Sequence, residues 1–147
     1  MRSNLPVTRQ RGMTLIELVI VVTIIGILAT ISVASYRNYA LRTNRSEGKV
    51  ALLRIQVAEE KFFLQNGTYT VTLAAAPPAG LGIAAASAPN GYYALGVAAG
   101  ATGAIGTSYL ATATATGVQT TDIAACQVLT IDDQGNRTPP NASGCWK

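Results

Sequence analysis

The chain has 147 residues, of which 49% are hydrophobic and only 12% are charged. This is about half the charged share of an average soluble domain. It contains no histidine, which excludes histidine-dependent nucleophilic triads and removes the commonest metal ligand. These properties argue against an enzyme, and we expect no cofactor, no bound metal and no small-molecule substrate.

The charges are concentrated towards the N-terminus, and their positions decide what the formal net charge of +4 means. Three arginines lie within residues 1–12, and six further basic residues lie between positions 37 and 61. The 55 residues from Gly67 through Thr121 contain no charged side chain, so this stretch offers nothing for acid–base chemistry or for contacts to a phosphate backbone. Nucleic acid is therefore not expected as a partner of the C-terminal half.

An apolar segment runs from Met13 to Tyr36, with Glu17 as its only charged residue. As a helix, its 24 residues would span ~36 Å, which is enough to cross a hydrocarbon core of ~30 Å. The segment therefore predicts a transmembrane helix. A secretory signal cut after Ala34 is the alternative, although the apolar region is longer than in a typical signal and contains a carboxylate.

Glu17 is a candidate functional residue, because a carboxylate at mid-membrane costs ~2.5 to 3.5 kcal/mol. If the chain were cut between Gly12 and Met13, the new ammonium group would lie four residues before Glu17, on the same helix face. Two such helices, offset along their axes, could pair the amine of one with the carboxylate of the next, so that assembly neutralises both charges. A carboxylate that only reaches the membrane edge is the alternative.

The start of the apolar segment resembles a known protein family. The sequence RGMTLIE at positions 11–17 is similar to the class III signal of type IV pilins and pseudopilins, which combines a short basic leader, a glycine before the cut and a glutamate near the start of a long apolar helix. The resemblance implies cleavage after Gly12 by a prepilin peptidase, N-methylation of Met13 and a role for Glu17 in filament assembly. It also implies that Gly26 is a glycine that loosens the helix.

After the apolar segment, side chains at a spacing of three and four predict an amphipathic helix that continues the first one. Six of the nine members of this pattern are apolar, and the members are Tyr36, Tyr39, Thr43, Ser46, Val50, Leu53, Val57, Glu60 and Leu64. Gly67 marks the end, since glycine readily takes the left-handed conformation that ends helices. We predict one helix from about Thr14 to Gln65, with this pattern as its apolar face.

Small side chains dominate residues 67–147, where alanine, glycine and threonine supply 42 of 81 residues. Residues 92–97, 108–116 and 127–131 have strand character and are separated by glycine-rich turns, and residues 132–136 predict a hairpin turn. A small antiparallel sheet packed against the apolar face of the second half of the helix is the simplest way to build a core. The predicted fold class is therefore α+β.

Cys126 and Cys145 are the two cysteines of the chain. A bridge between them would close a loop of about 20 residues. On the chain-entropy model it would stabilise the predicted β-sheet head, residues 67–147, by roughly 3 kcal/mol. A disulfide needs an oxidising compartment, which places the head in the periplasm or outside the cell, and two buried thiols are the alternative. The segment from Cys126 to Trp146 also resembles the C-terminal disulfide loop of minor pilins of the PilE kind.

Taken with these features, the resemblance implies a type IV pilin fold in four parts. They are a prepilin leader (1–12), a transmembrane or filament-core half of the helix (13–36), an amphipathic half (37–66) and a β-sheet head (67–147) with a disulfide loop (126–145). Removal of the leader would leave eight basic and seven acidic residues. The net charge then falls to +1 and no longer argues for an acidic partner.

The resemblance implies a structural subunit of a type IV pilus, and in particular a minor pilin. A single helix would hold it in the inner membrane with its head in the periplasm until it joins a pilus at the cell surface. The implied partners are other pilin subunits, prepilin peptidase and the inner-membrane assembly machinery. The alternatives are a type II secretion pseudopilin and a tethered or secreted periplasmic binding module that does not polymerise.

Overall fold

The structure is a computed structural model that describes residues 12–83, 88–140 and 143–146. The described residues form one α-helix, four β-strands and two short 3₁₀ helices. In chain order they are α1 (Leu15–Asn66), β1 (Tyr93–Ala99), β2 (Tyr109–Ala115), the 3₁₀ helices Gly117–Thr121 and Ala124–Cys126, β3 (Val128–Asp132) and β4 (Arg137–Thr138). The strands form one antiparallel sheet in the order β1-β2-β3-β4. The predicted α+β fold class is confirmed.

The chain divides into two compact units between Arg37 and Asn38. In the first unit, α1 begins after Thr14, whose hydroxyl accepts a hydrogen bond from the backbone N–H of Glu17 at 3.3 Å, as an N-cap does. The hydroxyls of Thr23 and Thr30 each donate to a carbonyl of the preceding turn at 2.7 Å. These hydroxyls therefore need no water, which suits an apolar environment. Among the described residues, α1 is the one helix long and apolar enough to cross a membrane.

In the second unit, β2 is flanked by β1 on one side and by β3 on the other. The alternation of alanine and threonine in β2 places Ala111 and Ala113 in the core and turns Thr112 and Thr114 away from it. The predicted strands are present within one or two residues of their expected bounds. The hairpin turn after β3 is held by Asp132, whose carboxylate accepts from the backbone N–H groups of the turn.

The face of α1 that packs on the sheet is not the predicted one. Its buried row consists of Arg45, Gly48, Ala51, Leu52, Ile55 and Glu59. The predicted row is largely in solvent, where Tyr39 is 70%, Val57 70% and Leu64 85% exposed. The prediction was wrong because both rows follow the same spacing of three and four, and the more apolar row was assigned to the core.

The exposed row of the head unit is called the outer stripe below. It consists of seven exposed residues and one half-buried residue, Glu60; the exposed ones are Tyr39, Thr43, Ser46, Val50, Leu53, Val57 and Leu64.

A glycine in the buried row allows an aromatic ring to lie against the helix. A Cβ added at Gly48 would meet the ring of Tyr93 at 3.1 Å, which is closer than a normal carbon–carbon contact. Tyr93 is fully buried, as are Leu52 and Ile55 of α1. Burial of a side chain such as leucine or isoleucine stabilises a fold by about 1.5 to 3 kcal/mol. The core of the head thus lies between the buried row and the sheet.

Gly67 ends α1, as the sequence predicts. Its φ is +68°, and its N–H donates to the carbonyl of Phe63 at 2.7 Å. The chain then folds back along the helix, so that the ring of Tyr69 stacks on Phe63 with centroids 4.6 Å apart and meets Tyr109 edge-on at 4.9 Å. This return brings the backbone after the helix next to Glu59.

Candidate functional site: the assembly helix and its junction with the head

The predicted processing and assembly residues lie at the start of α1. Gly12 and Met13 precede the first helical turn, Glu17 lies within it, and all three are exposed. A carboxylate in the first turn lies near the positive end of the helix dipole. Within the described residues, the Glu17 side chain forms no hydrogen bond or ion pair. An acidic group therefore stands without a partner at the end of an apolar helix.

The first half of α1 presents large apolar side chains all round. From Leu15 to Val33, every such side chain is between 44% and 80% exposed. A helix that is apolar on all sides is stable only when lipid or other helices surround it. A Cβ added at Gly26 would meet no atom of the described residues within 4 Å, so none of their contacts requires glycine at this position.

A buried ion pair joins α1 to the 3₁₀ segment of the head. Arg45 donates from Nε to Oδ2 of Asp122 at 2.7 Å and from Nη2 to Oδ1 at 2.6 Å, which is a bidentate arrangement. The same carboxylate accepts from the backbone N–H of Ile123 and from Nε2 of Gln119, each at 2.8 Å. The two charged side chains are only 10% and 2% exposed. Loss of either partner would leave a buried charge uncompensated.

The ion pair favours the charged form of both groups. The hydrogen bond to Asp122 raises the pKa of Arg45 above its usual value. Burial by itself would raise the pKa of Asp122, but the hydrogen bonds from Arg45 and from the N–H of Ile123 outweigh burial and lower it. Sequence reasoning missed this pair. Its signal is Asp122 itself, an acid at the end of a 55-residue uncharged stretch.

Gln119 connects the ion pair to the disulfide loop. Its Nε2 lies 3.1 Å from the backbone carbonyl of Leu41 and 3.2 Å from the hydroxyl of Tyr93. The Tyr93 hydroxyl donates to the carbonyl of Cys126 at 3.4 Å. Cys126 is bridged to Cys145 with a Cα–Cα distance of 5.3 Å, so the predicted disulfide is confirmed. One polar network thus links α1, β1 and the disulfide.

Glu59 is a second buried carboxyl group, and no cation among the described residues pairs with it. Its exposure is 0%. Oε2 accepts from the backbone N–H of Thr70 at 3.1 Å, whereas Oε1 has no hydrogen-bond partner among the described residues. Burial raises the pKa of Glu59 to about 7; the Thr70 hydrogen bond opposes this rise and the charge of Glu60 adds to it. Sequence reasoning missed Glu59 too, because spacing alone does not distinguish it from a surface acid.

Comparison with known families accounts for most of the chain. The family described as "Type IV minor pilin ComP, DNA uptake sequence receptor" matches residues 34–130, which is more than half of the sequence. The chain belongs to the type IV pilin family. The family described as "Prokaryotic N-terminal methylation motif" matches residues 7–33. The family expected from the sequence is confirmed, and because pilins are structural proteins, this membership agrees with the argument against an enzyme.

Individual relatives support the same assignment. The fimbrial protein EcpC of Eikenella corrodens is 39% identical over 113 residues, which cover 75% of this pilin and 69% of EcpC. The type IV major pilin protein PilA of Myxococcus xanthus is 44% identical over 62 residues, or 42% of this chain and 28% of PilA. The type IV major fimbrial protein FimA of Dichelobacter nodosus is 50% identical over 64 residues, or 42% of this chain and 38% of FimA. The matches to PilA and FimA thus span well under half of those proteins.

A solved structure supports the fold. The type IV pilin from Shewanella oneidensis matches with a TM-score of 0.52 at 23% identity, covering 73% of this chain and 98% of that one. At this identity, the likeness shows the fold alone. The predicted leader, apart from Gly12, lies outside the described residues. Its removal and the roles of Met13, Glu17 and Gly26 therefore stay predictions.

Proposed function

We propose that this pilin is a structural subunit, and specifically a minor pilin, of a type IV pilus. The observation that carries the proposal is the first half of α1, whose large apolar side chains are exposed on every side. Such a helix needs lipid before assembly and other helices after it. The matched relatives are named as pilins and fimbrial proteins, which favours a pilus subunit over a type II secretion pseudopilin.

Processing would expose the group that pairs with Glu17. A prepilin peptidase cuts after Gly12, and N-methylation then modifies Met13, whose amine keeps its positive charge. In the filament, the Glu17 carboxylate of one subunit pairs with the Met13 amine of a neighbour. Each charge is costly when alone in an apolar environment, and pairing removes much of that cost. Gly26 lets the helix bend during this assembly.

The disulfide and the apolar helix together define the proposed location. The helix holds the pilin in the inner membrane as a single pass, and the head lies in the periplasm, where a disulfide is stable. The inner-membrane assembly machinery then transfers the subunit to the pilus at the cell surface. We expect Gly26, Met13 and Glu17 to enter the filament core while the head faces solvent.

The experiment that tests the function is Glu17→Leu in cells that assemble pili. We expect normal cleavage but an at least tenfold lower amount of the variant in sheared filaments, since loss of a buried pairing costs about 3 kcal/mol or more and each 1.4 kcal/mol is about tenfold. Immunoblots of membranes and of sheared filaments measure this ratio. Val22→Leu, an apolar change in the same exposed helix, is the matched control. Normal amounts of the Glu17→Leu variant in filaments would refute the proposed pairing.

Gly12→Val should block cleavage without disturbing the fold. A Cβ added at Gly12 would meet no atom within 4 Å in the part of the chain that the structure describes, so we expect a loss of processing to reflect the peptidase and not misfolding. Mass spectrometry of the membrane-extracted protein should find a methylated Met13 as the first residue of the wild type and Met1 as the first residue of the variant. A wild-type chain that begins at Ser35 would instead support a secreted module.

DNA binding deserves a separate test because the matching family is named for a DNA uptake sequence receptor. We keep the expectation that nucleic acid is not a partner of the head, because residues 67–147 carry two basic side chains against three acidic ones. A DNA-binding surface depends on cations that neutralise phosphates. We expect no salt-dependent shift of duplex DNA by the full chain in detergent. Binding that weakens steeply between 50 and 200 mM salt, a range over which phosphate-based affinity falls by orders of magnitude, would contradict this expectation.

A further inference from the structure

A cavity of about 630 Å³ opens beside the buried ion pair of Arg45 and Asp122. It lies wholly within the second compact unit, because every residue that lines it follows Arg37. One wall belongs to α1, one to the 3₁₀ segment and one to the disulfide loop. These three segments are held together by the ion pair and by the disulfide. The polar residues of the walls include Asn38, Arg42, Arg45, Thr121, Asp122 and Ser143.

The charged residues of the walls leave one positive charge without a counterion. Arg45 is neutralised by Asp122, whose carboxylate accepts four hydrogen bonds from the described residues. Arg42 is exposed and forms no hydrogen bond or ion pair within the described residues. It lies three residues before Arg45, so both side chains lie on the same face of α1, where like charges repel. An anion bound between the two arginines would offset that repulsion.

Arg45 keeps donors that the ion pair does not use. A guanidinium has five N–H donors, and the contacts to Asp122 involve only Nε and Nη2. Only 10% of the Arg45 side chain is exposed. Nη1 donates no hydrogen bond within the described residues, yet it is not among their fully buried, unpartnered atoms. Because Arg45 lines the cavity, the donors of Nη1 are available to a ligand there.

We propose that this cavity binds a phosphate group between Arg42 and Arg45. Guanidinium groups match the geometry of oxyanions, and a phosphate has enough oxygens to accept from two of them at once. Asn38 lies four residues before Arg42 on the same helix face, and its side-chain amide is a further donor. The inference goes beyond a role in pilus assembly, because it concerns a ligand of the single chain.

The apolar part of the cavity favours a phospholipid headgroup as the carrier of the phosphate. Leu41 and Ile123 also line the cavity, and Ile123 is 55% exposed, so a ligand with an apolar part would cover them. Arg42 follows Tyr36, the last residue of the predicted transmembrane segment, by six positions in the sequence. Basic residues next to a membrane span attract anionic headgroups. Free phosphate is the other source of the same chemistry.

The test is Arg42→Gln in the full chain, purified in a neutral detergent without phosphate. Calorimetric titration measures the binding of inorganic phosphate. Native mass spectrometry measures the retention of phosphatidylglycerol, with phosphatidylcholine, whose headgroup has no net charge, as the comparison. We expect the wild type to bind phosphate and to retain phosphatidylglycerol in preference to phosphatidylcholine. Arg42→Gln should weaken both about tenfold or more, because charge-assisted hydrogen bonds are lost, and should leave the melting temperature without phosphate unchanged.

Arg54→Gln is the matched control. Arg54 is also an exposed arginine of α1 but does not line this cavity, so the variant loses the same charge and should bind as the wild type does. Asn38→Asp is a second test variant. It places a negative charge at the cavity and should weaken binding as Arg42→Gln does, without removing an arginine.

The outcomes separate the possible ligands. Retention of phosphatidylglycerol that depends on Arg42 supports a lipid headgroup, whereas phosphate binding that depends on Arg42 without a lipid preference supports free phosphate. The proposal is overturned if neither ligand depends on Arg42 more than on Arg54. It is also overturned if Arg42→Gln loses binding of duplex DNA alone, since the arginine would then belong to a nucleic-acid surface.

Discussion

Arg45→Met should lower the free energy of unfolding of the head by about 3 to 5 kcal/mol, the range for breaking a buried ion pair from one side. The substitution keeps an apolar stem of similar length but removes both donors to Asp122, whose side chain is 2% exposed. Of the four hydrogen bonds that the carboxylate accepts from the described residues, two come from Arg45. The remaining donors, Gln119 and the N–H of Ile123, do not neutralise its charge.

A double variant distinguishes the net contribution of the ion pair to stability from the cost of leaving one buried charge unpaired. Arg45→Met combined with Asp122→Leu removes both charges, and we expect it to be more stable than Arg45→Met alone, because an apolar replacement of a whole buried pair is often close to neutral. Arg42→Met is the control for loss of an arginine. Arg42 is exposed and forms no hydrogen bond or ion pair within the described residues, so a change below about 0.5 kcal/mol is expected.

Denaturant unfolding of the full chain in detergent, followed by near-ultraviolet circular dichroism of the buried tyrosines, measures these differences. The pair also predicts a pH effect. The folded-state pKa of Asp122 is lowered. Ionised Asp122 therefore contributes to the free energy of unfolding at pH values above its unfolded-state pKa, and this contribution is lost as the pH falls through its folded-state pKa. If Arg45→Met were as stable as the Arg42→Met control, the ion pair would not be what holds α1 against the 3₁₀ segment of the head.

Local sequence patterns were sufficient to predict most elements of the fold. The apolar run after Met13 predicts the start of a helix, the glycine after Asn66 predicts its end, and the alternation of alanine and threonine predicts β2. Each of these patterns involves residues close together in the chain, and the structure has the predicted feature in each case. The pairing of Cys126 with Cys145 follows from there being two cysteines. β4 was not predicted, because two residues carry too little alternation to indicate a strand.

The orientation of α1 could not be predicted, because two rows of the helix have the same period. The outer stripe is the more apolar row, yet the buried row contains Arg45, Gly48 and Glu59. Arg45 and Gly48 are each accommodated by a residue distant in sequence. Asp122 neutralises Arg45, and the ring of Tyr93 fills the space above Gly48. Apolar content identifies the core face only when the other face meets water, and in a filament subunit the other face is expected to meet a neighbour.

Glu59→Gln should stabilise the head at pH 8 by about 2 to 3 kcal/mol and change little at pH 4. The pKa of Glu59 is raised from 4.5 to about 7, so the folded state keeps its proton over a range in which the unfolded state has lost it. Stability therefore falls as the pH rises from about 4.5 to about 7 and is flat above that. A difference of one pKa unit corresponds to about 1.4 kcal/mol. The glutamine side chain of Glu59→Gln stays neutral over this pH range, so the variant does not lose this stability.

The geometry supports this sign. Oε2 of Glu59 accepts from the N–H of Thr70, whereas Oε1 is buried without a partner among the described residues, so the neutral side chain is the form that the site tolerates. Glu60→Gln is the matched control, because this neighbour is only half-buried and should change stability by less than about 1 kcal/mol.

Unfolding curves of the full chain in detergent at several pH values between 4 and 8 decide the question. The wild-type free energy should decrease across this range relative to that of Glu59→Gln, with the largest separation above pH 7. Parallel curves for the two proteins would mean that Glu59 ionises in the folded head as easily as in the unfolded chain.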